Sequence, residues 1–250
     1  MHRLKLKWKS VSVAVISRSH TQRYIVSTSF NSSYISPRTD LLEQIRGDGL
    51  SVLDVGCATG SNGKYLLDKG IAQEVVGFEF DPEMAAIANQ FYAQVHIGDL
   101  DVIDVDQLLG DRQFDYIILG DVLEHLKSPW KLLSTFVNRL SENGRIIISL
   151  PNIQHIDMFI HVYIKGVWPY NDRGIFDRTH LRFFTLKTML QLIEGAGLDV
   201  VRTERQFRRR DYKGSSFNRS PFEWLLMHVF KNLYTFQFVF VCTHNGKSQP

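Results

Sequence analysis

The chain has 250 residues, 44% hydrophobic and 22% charged, with a formal net charge of +3. That balance excludes the disordered, collagen-like and coiled-coil classes, and the length suits one α/β-sized domain with an appended arm better than two full domains. A membrane span needs roughly 18 apolar residues, whereas the longest apolar run, Phe236 to Cys242, is broken by Gln237.

Two cysteines, Cys57 and Cys242, make neither a disulfide framework nor a four-thiolate zinc site, so a reducing, cytoplasmic setting is expected. The charge is uneven. No acid precedes Asp40, and residues 1–39 hold seven bases, leaving 22 bases against all 26 acids in the remainder. Residues 1–33 are therefore read as a basic arm and 34–250 as the folded domain. The arm's composition is like that of a transit peptide, but Leu4 to Lys9 and Val11 to Val15 alternate with period 2, which predicts strand and not an amphipathic helix.

From residue 50 onward, strand and helix alternate. Ser51 to Val55 is a short apolar strand ending at Gly56, and Asn62 to Lys69 a helix closed by Gly70. Glu74 to Phe80 reads as the second buried strand, Pro82 to Tyr92 as a helix with proline in its first turn, Ala93 to Ile97 as the third strand and Phe114 to Leu119 as the fourth. A helix over about 129–140 leads through a turn at Glu142-Asn143-Gly144 into a fifth strand, Arg145 to Leu150. Thr185 caps a helix whose Leu186, Met189, Leu190 and Ile193 share one face, with Gly195 and Gly197 at its end. Leu198 to Val201 and Phe236 to Cys242 complete the strands. Parallel strands with crossover helices predict an α/β, doubly wound sheet.

Val52-Leu53-Asp54-Val55-Gly56-Cys57-Ala58-Thr59-Gly60 places a glycine turn between a strand and a helix, where backbone N–H groups and the helix N-terminus can meet an anionic group. Glu79, at the end of the second strand, stands where an acid can accept both hydroxyls of a ribose. A nicotinamide dinucleotide would require glycines at 56, 58 and 61, and the chain has Ala58 and Ser61.

These residues resemble the class I S-adenosylmethionine-dependent methyltransferases over roughly 34–205. Val52 to Gly60 is similar to the family's first motif, Val76-Gly77-Phe78-Glu79 to its ribose-binding strand, Gly98-Asp99-Leu100 to its adenine turn, and Phe114 to Asp121 to its fourth motif. The resemblance implies S-adenosyl-L-methionine as cofactor and a seven-stranded, mostly parallel sheet of order 3-2-1-4-5-7-6. It also implies that Gly56, Ala58 and Gly60 line the methionine moiety, that Glu79 holds the ribose and Asp99 the adenine amino group, and that Gly120 and Asp121 border the sulfonium. Ala58 stands where the family most often has glycine, and its methyl group is expected to crowd the loop.

Two clusters are candidates for the acceptor side. Asp121, Glu124 and His125 follow the fourth strand at helical spacing, and Asp172, Asp177 and His180 follow the fifth. A histidine three residues after an acid suits a neutral base for a hydroxyl proton, so His180, His125 and Asp177 are the catalytic candidates. Each has a plainer reading. Asp121 with Glu124 would form a capping box, His125 would be a satisfied histidine under a loop, and Asp177 would make an Asx-turn before Thr179.

The group Asp121-x-x-Glu124-His125 with His180 is similar to the metal-holding group of small-RNA 2′-O-methyltransferases and ubiquinone-pathway O-methyltransferases. That similarity implies Mg²⁺, Mn²⁺ or Zn²⁺ held by Glu124, His125 and His180. Asp177 to Thr185, with Trp168-Pro169-Tyr170, resembles a bacterial branch often associated with surface-polysaccharide assembly. There a glycan or other small hydroxyl compound would be the acceptor, with Trp168, Tyr170, Phe176 and Phe183 as flat faces for a ring or as local core. Two other classes stay open. An RNA methyltransferase would use the arm and Arg202, Arg205, Arg208, Arg209, Arg210 and Lys213 as phosphate contacts. A non-catalytic S-adenosylmethionine-binding protein would show no turnover. The apolar stretch from Ser215 to Tyr234 is expected to pack on the sheet.

Overall fold

A computed structural model of the chain describes residues 36–211, 225 and 227–246, together with the backbone of two short strands, β1 (Val11–Val13) and β2 (Thr28–Phe30). These two pair antiparallel, in keeping with the period-2 pattern read at Val11; the rest of the 1–33 arm, Lys213 and most of the 215–234 stretch lie outside the described residues.

Nine elements lead to the fifth large strand: α1 (Thr39–Leu42), β3 (Leu50–Val55), α2 (Ser61–Asp68), β4 (Ala72–Glu79), α3 (Pro82–Ala88), β5 (Gln94–Ile97), α4 (Val105–Leu109), β6 (Phe114–Gly120) and α5 (Pro129–Val137). After them come β7 (Leu140–Pro151), α6 (Ile156–Met158), α7 (Leu186–Gly195), β8 (Leu198–Phe207), α8 (Lys231–Tyr234) and β9 (Thr235–His244). The large sheet runs β5-β4-β3-β6-β7-β9-β8. Numbered within the sheet alone, this is the expected order 3-2-1-4-5-7-6. Strands β3 to β7 pair in parallel, and β9 runs antiparallel to both of its neighbours.

The central strands are apolar on both faces because helices cover both. Leu53, Val55, Ile117, Leu119 and Ile148 pack on one side with α5 and α7, and Val52, Ile118 and Ile147 pack on the other with Leu41, Ile45 and Leu66. Thr185 caps α7 as expected: its Oγ1 accepts the Thr188 N–H, and the Thr188 Oγ1 accepts the Thr185 N–H in return.

Three local expectations need correction. The turn at Glu142 to Gly144 is a bulge inside β7, where the pairing with β6 shifts from Phe114–Leu140 to Tyr116–Arg145. Strand β8 is longer than expected because it is an edge strand: Arg202 to Gln206 carry polar side chains, so apolar content does not mark it. Helix α3 stops at Ala88, and the chain turns so that Tyr92 is buried against α2. The parallel strands then deliver their C-terminal ends, at Val55, Glu79, Ile97, Gly120 and Pro151, to one rim of the sheet.

Candidate active site

At the centre of the rim, β3 ends in the glycine turn. Gly56, Ala58 and Gly60 all have left-handed backbones, with φ of 71°, 48° and 79°. Gly60 cannot be replaced cheaply, since a Cβ there would lie 2.8 Å from Cα of Ala88. At Ala58 the structure shows a cost of another kind, a left-handed backbone that a residue with a Cβ adopts under strain.

Glu79 ends β4 and organises the same turn. One carboxylate oxygen accepts the Ala58 N–H at 2.7 Å and the other accepts the Asp81 N–H at 2.9 Å, so each oxygen retains further accepting capacity. Beneath the turn, Asp54 is fully buried. It accepts a 2.6 Å hydrogen bond from Tyr92, whose hydroxyl in turn accepts the Gly63 N–H at 2.9 Å. Loss of solvent is the main cause that pushes the Asp54 carboxyl up to about 6, against the pull of Tyr92 and Asn62. Asp99 lies at the start of the turn after β5, where one oxygen accepts the Asp101 N–H at 2.9 Å. Asp101 accepts the Lys127 N–H, tying this turn to the loop after β6.

Arg38 also reaches this rim, though composition alone hides it among the seven bases of residues 1–39. Its N–H is held by Asn62 of α2, and its guanidinium binds Asp40 at 2.8 Å and Asp121 at 2.5 Å. No local signal marks it; only the fold brings it to Asp121.

Asp121, just beyond Gly120 and β6, has a left-handed backbone with φ of 57°, and its side chain accepts from Ser149 at 2.7 Å, from Gln237 and from Arg38. It therefore neither caps a helix nor shares a face with Glu124. The expected helix there is a single 3₁₀ turn, Leu123–His125. That turn does bring Glu124 and His125 to His180: the three offer ligand atoms within 4.8 Å of one another. Nε2 of His180 is 3.9 Å from Oε1 of Glu124, and the two imidazole rings are 4.7 Å apart, edge to face. Glu124 is buried with neither carboxylate oxygen hydrogen-bonded, and Nδ1 of His180 is likewise without a partner. Burial drives the Glu124 carboxyl well above its ordinary range, and burial followed by the charge of His125 holds the His180 imidazole down at about 4.

The segment 177–182 is stitched across this turn, because the N–H groups of Leu181 and Arg182 both donate to the Glu124 carbonyl. Asp177 makes the Asx-turn: it accepts the Thr179 N–H at 2.8 Å and the Thr179 hydroxyl at 2.6 Å. It does not bond the His180 ring, so the idea that it orients His180 is corrected. Asp172 is also removed from the cluster, by an ion pair with Arg178. Beside His180, Trp168 stands edge-on to Phe176 and Phe183 at 5.1 and 5.2 Å; Phe176 is buried core, whereas Phe183 and Tyr170 are exposed at the rim.

Comparison with known proteins agrees with this fold. A family model described as a methyltransferase domain matches residues 28–203, most of the chain. The chain belongs to this methyltransferase family. It is 28% identical over 198 residues to a ubiquinone biosynthesis O-methyltransferase of Cereibacter sphaeroides, covering 75% of this chain and 72% of the relative. Its fold is similar to that of an S-adenosylmethionine-dependent methyltransferase from Mesorhizobium loti, with a TM-score of 0.55 at 16% identity over 80% of this chain and 94% of the other. It is also similar to magnesium protoporphyrin IX methyltransferase from Synechocystis, solved with S-adenosylhomocysteine, with a TM-score of 0.55 at 16% identity over 82% and 79% of the two chains. The protein is thus an S-adenosylmethionine-dependent methyltransferase, and the reading as a non-catalytic binder falls away. Among the described residues, no helix of this methyltransferase is long and apolar enough to cross a membrane.

Proposed function

We propose that this methyltransferase methylates a hydroxyl oxygen of a small ring-bearing acceptor, in the first instance a sugar, at a divalent-cation site formed by Glu124, His125 and His180. The observation that carries this reading is the buried Glu124 carboxyl with both oxygens unpartnered beside two imidazoles. A buried carboxyl without partners is costly, and a cation is the ligand that the mixed carboxylate and imidazole set suits.

In this reading Gly56, Ala58 and Gly60 leave room for the methionine moiety, Glu79 accepts the ribose hydroxyls, Asp99 meets the adenine amino group, and Gly120 and Asp121 border the sulfonium. Arg38 supplies the positive charge for the cofactor's carboxylate. The bound cofactor supplies an electrophilic methyl group, and the bound Mg²⁺, Mn²⁺ or Zn²⁺ a Lewis acid that lowers the pKa of a hydroxyl. The protein's own work is alignment and proton removal: Glu124 and His125 would hold the cation against the acceptor oxygen, and His180 would serve either as the third ligand, with the proton passing to water, or, kept neutral, as the base that takes it. Trp168 and Phe183 offer a ring-sized apolar wall next to His180.

An RNA acceptor is less well supported, because arginines within and just after β8 are bound internally. Arg205 lies over Phe238 and bonds Asn232, Arg208 lies over Phe236, and Arg210 pairs with the buried Asp157. The test is a parallel screen of nucleotide sugars, small phenols and short RNA with methyl-labelled cofactor and Mn²⁺. Label in a sugar is the expected result; label in phenols alone would move the acceptor to an aromatic hydroxyl, and label in RNA alone would overturn the small-acceptor reading.

A further inference from the structure

We infer that Thr179 is a positioning residue that fixes the tautomer of His125, with the proton on Nδ1 and the lone pair on Nε2. The tautomer itself follows from hydrogen-bond geometry alone; its use in catalysis rests on the function proposed above.

A threonine hydroxyl has one proton to give and two lone pairs to receive with. Oγ1 of Thr179 lies 2.6 Å from Oδ1 of Asp177 and 3.0 Å from Nδ1 of His125. Oδ1 of Asp177 already accepts the backbone N–H of Thr179 at 2.8 Å, which marks it as an acceptor. If the hydroxyl proton pointed at His125 instead, two lone-pair-bearing oxygens would face each other at 2.6 Å with nothing between them. The proton therefore lies toward Asp177. The oxygen can then only accept from His125, so Nδ1 must carry hydrogen. Nε2 is left as the lone-pair nitrogen of the ring.

The order is directional: carboxylate, hydroxyl, imidazole. It also gives Asp177 a role other than the one its spacing from His180 suggests, since it acts on His125 through Thr179. The backbone fixes the relay in place, because the N–H groups of Leu181 and Arg182 clamp the strap to the carbonyl of Glu124, the residue next to His125. A valine at 179 keeps the shape of threonine and removes both functions of the hydroxyl. A serine keeps them.

The experiment is a two-bond ¹H–¹⁵N correlation spectrum of the full chain with ¹⁵N-labelled histidine, recorded at neutral pH without metal, with His125 assigned by its loss in His125→Gln. The expected wild-type signal is a protonated Nδ1 and an unprotonated Nε2; Thr179→Val shifts the population toward protonated Nε2, and Thr179→Ser restores the wild-type pattern. A wild-type ring protonated on Nε2, or a Thr179→Val spectrum identical to wild type, overturns the assignment. Calorimetric titration with Mn²⁺ supplies a second readout, with affinity expected to fall about tenfold or more in Thr179→Val and to recover in Thr179→Ser. Loss of affinity without a tautomer change also overturns it. If the tautomers behave as expected and no variant binds Mn²⁺, the cation reading of the site fails while the role of Thr179 stands.

Discussion

Oε1 of Glu124 lies 3.9 Å from Nε2 of His180, inside the fold, and no hydrogen bond reaches either oxygen of that carboxyl. A polar group left in this state costs about 1–3 kcal/mol. In the function proposed above, the site holds an acid that weakens the fold in exchange for a ligand, a pattern common where stability is given up for activity. Glu124→Met should raise the melting temperature of the metal-free protein, corresponding to about 1 kcal/mol, and abolish calorimetric binding of Mn²⁺. A melting temperature that falls by several degrees would show that Glu124 supports the fold instead.

Asp54 gives a pH dependence whose sign is fixed by its environment. Folding raises its pKa from 3.8 to about 6, so the native state keeps a proton that the unfolded chain releases first. Its contribution is complete below about pH 4 and is lost as the pH rises through about 6, amounting to ~3 kcal/mol at most. Asp54→Asn keeps an acceptor for the Tyr92 hydroxyl and has no carboxyl to ionise. Urea unfolding between pH 4 and 7 should show a smaller fall in stability for Asp54→Asn than for wild type; equal slopes would mean that the Asp54 pKa is not raised.

Glu79 holds the loop and, in the proposed function, the ribose as well. Glu79→Ala removes the acceptor for the Ala58 N–H as well as the expected ribose contacts, so S-adenosylhomocysteine should bind about 100-fold more weakly by calorimetry. Glu79→Gln, which keeps one acceptor oxygen, should fall between the two. Unchanged affinity in Glu79→Ala would place the cofactor elsewhere.

Ala58 sits in the left-handed region at φ 48°. Glycine there relieves strain of about 1–2 kcal/mol and loses about 0.5–1 kcal/mol of chain entropy. Ala58→Gly should therefore stabilise the protein by about 0.5–1 kcal/mol in chemical unfolding, with cofactor affinity unchanged or slightly higher. A loss of stability would mean that the alanine methyl makes packing contacts that outweigh the strain.

Much of this molecule can be read in one dimension. Leu53, Ile117 and Ile148 belong to strands buried on both faces, so their segments are apolar throughout, and the glycines at 56 and 60 announce the turn because few other residues adopt that backbone. Glu124, His125 and His180 were legible as a spaced group. What escaped depends on distant partners. Arg38 becomes a site residue because Asn62 and Asp121 hold it, and Asp121 leaves the helical face because Ser149, Gln237 and Arg38 draw its carboxylate away. Thr179 stands in the segment Asp177 to Thr185 with no role that the sequence assigns to its hydroxyl, and its meaning lies in two contacts made once that segment has docked.

The most direct test of the proposed site is the initial rate of methyl transfer to the acceptor found by the screen, measured in chelator, after Mn²⁺ is restored, and in His180→Ala. The rate is expected to fall by about 10²–10³ in chelator, to return with Mn²⁺, and to stay low in His180→Ala under both conditions. Full turnover in chelator together with full turnover in His180→Ala would contradict the proposed site.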